Sequence, residues 1–278
     1  MTENTGLLMP LTKYESDQVT DILKWKREEP SVVSKALGVA LAPITWLINK
    51  IIPEAAIRGV LDCSSSAAEW LTDTKDIVRD AGVNSVEGLK THDLEKSDAL
   101  SNEVHNWAIG MGSAEGGATG AFGLLGITAD IPAIVVLAMR TIHKIGVCYG
   151  FEVKTAQDKE FILAILATSG ANDMVEKVSA LSTLRTIEVA ITRETWKVLA
   201  QKAAAKQMSK EAGIIGVKNL AKQLGINLTK RKALQTIPAI GALVGASVNG
   251  WYIKEVGWAA RRAFQERWLL ENHKIIEI

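Results

Sequence analysis

Apolar residues along this chain recur at three- and four-residue steps and not at every second position, which marks helices and not strands. Tyr14, Val19, Ile22 and Trp25 follow that spacing, and Pro30 stands just past them, so a first helix is predicted over 13–29. A second is predicted over 31–50, with Pro43 inside its uncharged run, and Pro53 opens a third whose apolar face is Ile57, Val60, Leu61 and Ala68. Between Asp73 and Glu103 acids outnumber bases, and Gly82 and Gly88 break the periodicity into short helices; this stretch reads as exposed. A longer helix resumes near Asp93, with Leu94, Leu100, Val104 and Trp107 as its apolar positions. Further helices are predicted over 130–149, 156–169, 172–208, 210–224 and 230–252, the last continuing to about Asn272. The expected fold is all-α: a multi-helix globular bundle with glycine-rich, closely packed central helical hairpins. It reads as a single domain over 1–278, with N-terminal helices (12–110), a glycine-rich hairpin (111–170) and basic and C-terminal helices (171–278).

Two segments depart from the ordinary amphipathic pattern, Gly110 to Met139 and Ile237 to Ile253. In the first, Gly116, Gly120 and Gly123 recur at helical spacing, which lets another backbone approach closely. In the second, Gly241 and Gly245 make a GxxxG spacing with the same consequence. Ile131-Pro132 and Ile237-Pro238 both read as helix starts, with Asp130 and Thr236 as N-caps. Neither segment reads as a simple membrane span. The second is at the short limit for one, and the first is interrupted by Asp130 and Pro132.

The charges in and beside the first segment, Glu115, Asp130 and Arg140, leave two readings open. One is structural, with Asp130 capping its helix and Arg140 answering a carboxylate or carbonyls. The other is a ligand-binding or hydrolytic site with His143 or His105 nearby. No phosphate loop, nucleophile elbow or metal-ligand spacing accompanies it, so no metal or cofactor is expected.

Composition alters this picture mainly through charge. The 278 residues are 47% hydrophobic and 23% charged, with a net charge of only +1. Ala180 to Gln235 nevertheless holds eleven bases against three acids. Lys202, Lys206 and Lys210 form one stripe there, while Leu181, Leu184, Ile187, Ile191 and Leu199 form an apolar one. An anionic membrane surface or a membrane-protein partner fits such a helix; specific nucleic acid does not, because no recognition motif accompanies the lysines. Trp251 and Trp258 share a helical face, with Arg261, Arg262 and Arg267 following, a mix suited to a headgroup interface. Met1 to Gly6 lacks the basic and apolar regions of a secretory signal, and Cys63 and Cys148 form no CxxC pair, so a cytoplasmic protein with buried thiols is expected.

Ala114-Glu115-Gly116, Thr119-Gly120, Gly123, Asp130-Ile131-Pro132, Arg140, Ile142 and Tyr149-Gly150 resemble the central signature of the EcsC family of bacterial helical proteins. Ile237-Pro238, Gly241-Ala242, Gly245-Ala246, Asn249, Ala260, Phe264 and Arg267 resemble its C-terminal one. The departures are small, such as Met111 and Ser113 where the family more often shows alanine. The family takes its name from a protein encoded beside an ABC transporter and brings no catalytic residues to transfer. The resemblance therefore implies an accessory protein at the inner face of the membrane, linked to transport or secretion. The competing expectations are a small-ligand binder or hydrolase built on the Glu115, Asp130 and Arg140 cluster, and a helical protein that inserts into the membrane.

Overall fold

The computed structural model describes residues 8–30, 74–120, 124–171, 173–200 and 238–276, with side chains described outside 115–132, 156 and 192–248. The expected helices over 31–50, from Pro53 and over 210–224 lie outside these residues. Among the described residues all regular structure is helical: α1 (Lys13–Arg27), α2 (Lys75–Asp80), a 3-10 helix (Val86–Thr91), α3 (Leu94–Gly120), α4 (Leu124–Cys148), α5 (Ala156–Gly170), α6 (Met174–Ala200) and α7 (Pro238–Glu271). Over the described residues the all-α expectation holds, and Gly82 falls in the turn after α2 with φ +67.

Local chemistry accounts for several of the ends. Thr12 and Glu15 form a capping box, the Thr12 hydroxyl accepting from Glu15 N at 3.1 Å and the Glu15 carboxylate from Thr12 N at 2.7 Å. Thr155 and Asp158 repeat it at the start of α5. The far end of α1 is closed in a different way. Lys177 of α6, buried, donates to the carbonyls of Trp25 and Glu28 at 2.6 Å each, placing a cation on the negative end of the helix dipole. Gly150 turns the chain after α4 with φ +86, and a side chain there would lie 2.5 Å from the Lys90 backbone. Glycine alone satisfies both conditions.

Two elements differ from the sequence expectation. The helix read as starting at Asp130 begins at Leu124, so Asp130 is not its N-cap and Pro132 lies inside the helix, where it removes one main-chain hydrogen bond. Pro238 is the first described residue of α7, and Thr236, read as its N-cap, lies outside the described residues. The buried face of α3 is only partly the expected apolar one. Leu94 is fully buried as expected, but Trp107 is 54% exposed and Leu100 and Val104 are only half-buried, while Ser97, Asp98, Ser101, His105, Ala108 and Gly112 are buried.

That inversion follows from how α3 meets α7. The two run antiparallel and form the most extensive helix contact among the described elements. Small residues permit the approach: a Cβ on Gly112 would lie 2.8 Å from Ile253, one on Gly250 would overlap the Ser113 side chain, and one on Gly257 would overlap the His105 ring. A face of serine, alanine and glycine therefore packs closer than one of leucine and tryptophan could. The main apolar core lies beside this pair, where α4, α5 and α7 enclose Tyr149, Phe161, Ile142, Tyr252 and Phe264. The Phe264 ring lies against Gly146 and stacks with Phe151 at 5.9 Å between centroids.

Glycine substitutions on α3 and α7 should separate close packing from helix propensity. Gly257→Ala, forced against His105, is expected to lower unfolding free energy by about 1–3 kcal/mol. Gly110→Ala, with open space around its added Cβ, should raise it by about 0.5–1 kcal/mol. Urea denaturation of the two variants checks both signs.

Candidate functional site

Asp98 is 2% exposed, and a carboxylate so placed must be answered by donors within the protein. It draws them from three directions. Tyr14 of α1 donates its hydroxyl to Oδ2 at 2.6 Å, and Tyr149, just past α4, donates to Oδ1. Gln265 of α7 spans both oxygens from Nε2 at 2.8 Å each, and the Arg261 guanidinium stands 3.8 Å away. A second ring surrounds these groups. Ser101 lies 3.3 Å from the Tyr149 hydroxyl, Arg261 donates to Asn102, and Arg262 donates to the Gln18 and Gln265 carbonyls at 2.9 Å each.

The electrostatics follow from burial. Desolvation first, and then the Asp98 charge, push both tyrosine hydroxyls well above their ordinary range, so they remain donors. His105, one helical turn beyond Ser101, is pulled down to about 4 by burial, with the positive charges of Arg261 and Lys254 adding to the effect. It is therefore neutral near pH 7. Its Nε2 donates to the Lys254 carbonyl at 3.0 Å, and its ring meets Trp258 edge-on at 5.8 Å. A histidine held in this way packs the α3–α7 crossing and is not exposed for proton transfer.

Two further charged clusters tie α7 to its neighbours. Glu266 pairs with Lys26 of α1 at 2.6 Å and with Arg185 of α6 at 3.5 Å, and Arg185 also reaches the buried Glu188 at 3.2 Å. Burial, then the Glu266 charge, push the Glu188 carboxyl up to about 8, against the pull of Arg185 and Lys26. Near the end of α7, Arg267 bridges Glu271 at 3.0 Å and Asp158 at 3.4 Å while lying 4.2 Å above the Phe151 ring.

The residues singled out from sequence are distributed as follows. Arg140 is half-buried on α4, and His143 is buried one turn further on. The side chains of Glu115 and Asp130 lie outside those described, as do Lys202, Lys206 and Lys210. Gly116 and Gly120 fall in α3 and Gly241 and Gly245 in α7, while Gly123 lies outside the described residues. Trp251 and Trp258 are both half-buried. Arg261 and Arg267 do not face outward: each is 6% exposed and turned into an ion pair, because Asp98 and Asp158 need a partner in the core. Cys148 is a free, buried thiol donating to the Lys144 carbonyl at 3.2 Å, and burial raises its pKa, which makes it unreactive.

Sequence reasoning did not find Asp98. Its surroundings are acidic and the stretch read as exposed. The available signal was the spacing of Leu94, Asp98, Ser101, His105, Ala108 and Gly112, a small and polar stripe at helical period.

Asp98→Ala leaves Tyr149, Gln265 and Arg261 without their acceptor and should cost about 3–5 kcal/mol of unfolding free energy. Tyr149→Phe, losing one hydrogen bond to a charged group, should cost about 1.5–3 kcal/mol. Both are read from chemical denaturation. Glu188 adds a pH dependence. Its folded pKa lies above its unfolded value near 4.5, so the folded state holds the extra proton, and stability falls as pH rises from about 4.5 through about 8. Urea midpoints at pH 5.5 and 8.5 should differ in that sense, and Glu188→Gln should flatten the difference.

Comparison with known proteins places the chain. It is 24% identical to the uncharacterized protein YdbA of Bacillus subtilis (strain 168), over 97% of this chain and 98% of that protein. It is 28% identical to Protein EcsC of the same organism, over 81% of this chain and 84% of that one. No solved structure matches it. The EcsC protein family is matched over residues 16–269, from the first turn of α1 to the last turn of α7, and the chain therefore belongs to that family.

Proposed function

We propose that this chain is a non-catalytic accessory protein working on the cytoplasmic face of an anionic membrane, in association with a transport or secretion system. One observation carries the non-catalytic part. The ionisable groups gathered around Asp98, Glu266 and Arg267 close on one another between helices, so their chemistry is used in holding the bundle together. The described surface of α3 also presents an apolar pair: Trp107 and Met111, 54% and 46% exposed, stand one turn apart. The membrane part draws on charge. The excess of bases between Ala180 and Gln235, with Lys202, Lys206 and Lys210 at its centre, is attracted to anionic headgroups at short range.

The glycine segments fit this role as a stiff, close-packed element. The pairs Asp98–Gln265 and Gly112–Ile253 set the register between α3 and α7. Counted on at the same rise per residue, that register alternates the levels of Gly116 and Gly120 on α3 with those of Gly245 and Gly241 on α7, the spacing that a continued close crossing requires.

The purified chain is expected to sediment with vesicles containing phosphatidylglycerol and to bind them less tightly as salt rises. Replacing Lys202, Lys206 and Lys210 together with Gln should remove about 1 kcal/mol of binding for each lysine. Equal affinity for neutral phosphatidylcholine vesicles, or no binding at low salt, would count against the proposal.

A further inference from the structure

We infer that one end of the bundle, made by the C-terminal half of α3, the N-terminal half of α4 and the N-terminal half of α7, enters a single leaflet of the bilayer. Trp107, Trp251 and Trp258 then lie at headgroup level. The inference rests on the membrane reading above and goes beyond it in naming the surface, its orientation and its depth.

The argument begins with register. Asp98 touches both Tyr149 and Gln265, so it marks a common level on α3, α4 and α7. From that level α3 runs toward the apolar end, while α4 and α7 run back from it. Trp107 lies nine residues past Asp98 and Arg140 nine residues before Tyr149. Trp258 and Trp251 lie seven and fourteen residues before Gln265. At about 1.5 Å per residue these side chains start from a slab roughly 10 Å thick. The contacts of Gly112 with Ile253 and of Gly250 with Ser113 place Trp251 beside the same stretch of α3 independently.

Polarity changes across that slab. On the Asp98 side stand the ion pairs already described. Within the slab are the three tryptophans, the exposed Lys254 and the half-buried Arg140 and Glu255, while Arg261, itself turned into its ion pair with Asp98, and Arg262 lie over the Trp258 ring at 4.8 and 5.5 Å. Beyond it α7 carries no charge from Pro238 to Ile253, α4 carries only Asp130 between Leu124 and Met139, and α3 only Glu115 between Trp107 and Gly120. The order along the axis is ion pairs, then tryptophan with Lys254, Arg140 and Glu255, then helix whose only charges are Glu115 and Asp130. A bilayer presents water, headgroup and acyl chain in that order.

Depth limits the mode. From Trp107 to Gly120, the last described residue of α3, is thirteen residues, about 20 Å, against about 15 Å for half the hydrocarbon core. No helix among the described residues is long and apolar enough to cross a membrane. Entry into one leaflet meets both facts. The exposed strip of Trp107, Gly110, Met111 and Ala114 lies along the part of α3 that would enter, and Lys254 has the length to keep its ammonium in the headgroups.

The test uses the full chain with anionic vesicles in which part of the lipid is phosphatidylcholine brominated high on the acyl chains, just below the headgroups. Tryptophan fluorescence should be quenched on binding, and Trp107→Phe should lose part of that quenching. Met111→Glu, with an unchanged thermal melt, should bind about tenfold more weakly. Val178→Glu, exposed on α6 and outside this end, should bind like the parent chain. Salt-sensitive binding to anionic vesicles with no quenching by the bromines would overturn insertion and leave surface attachment standing. Equal binding by Met111→Glu and the parent chain would also overturn it. No binding by the parent chain at low salt would remove the membrane reading and insertion together.

Discussion

A carboxylate taken out of water has to be answered by donors held in place, and Asp98 is answered by helices that are remote in sequence. Tyr14 comes from the first described helix, Tyr149 from the end of α4 and Gln265 from the last helix, and all converge on two oxygen atoms. Moving any one of these helices by the length of a hydrogen bond leaves a buried polar group unsatisfied. Apolar packing alone tolerates sliding more readily than such a point does. The register of α3 against α4 and α7 is therefore fixed at Asp98, and the levels of all other side chains along those helices follow from it.

The close approach of α3 and α7 is the other half of the same constraint. Gln265 and Arg261 reach Asp98 because the two backbones lie near each other, and they do so because Gly112, Gly250 and Gly257 leave room for Ile253, Ser113 and His105. Each interlocked pair excludes water from its neighbours, which strengthens the hydrogen bonds inside. The histidine in this seam illustrates the result. It is kept neutral by burial and is used as a flat, hydrogen-bonded filler between Trp258 and the α7 backbone.

Much of this architecture could be read from the chain before the structure. Helical periodicity located α1, α5 and the apolar face of α6, where Leu184, Ile187 and Ile191 are buried. Gly82 and Gly88 marked the broken stretch before α3. Pairing was not legible, and pairing decides the rest. Hydropathy puts Trp107 inside and Asp98 outside; a glycine-lined crossing reverses both, since a large ring cannot enter a narrow seam and a paired carboxylate can. Arg261 and Arg267 misled for the same reason. As lone bases beside tryptophans they suggest a headgroup interface, and their inward turn follows only from Asp98 and Asp158 lying across from them. Pro132 shows a different limit, because a proline inside a helix and one at its start look alike until neighbouring turns are seen to continue through it.

Charge segregation along α7 connects the fixed register to what the protein can present to a partner. The half of this helix beyond Lys254 carries the arginines, Gln265 and Glu266 that bind it to α1, α3, α5 and α6, whereas the half before Lys254 has no charged residue. A helix anchored by ion pairs at one end needs none at the other, so its uncharged half is free to be as apolar as its surroundings demand. Because α3 and α4 are locked to it through Asp98, their apolar halves are carried to the same end. The sealed polar cluster and the apolar end are thus two consequences of one alignment: the cluster fixes three helices in register, and the register gathers at one end their segments of lowest charge, in which Glu115 and Asp130 are the only charged side chains.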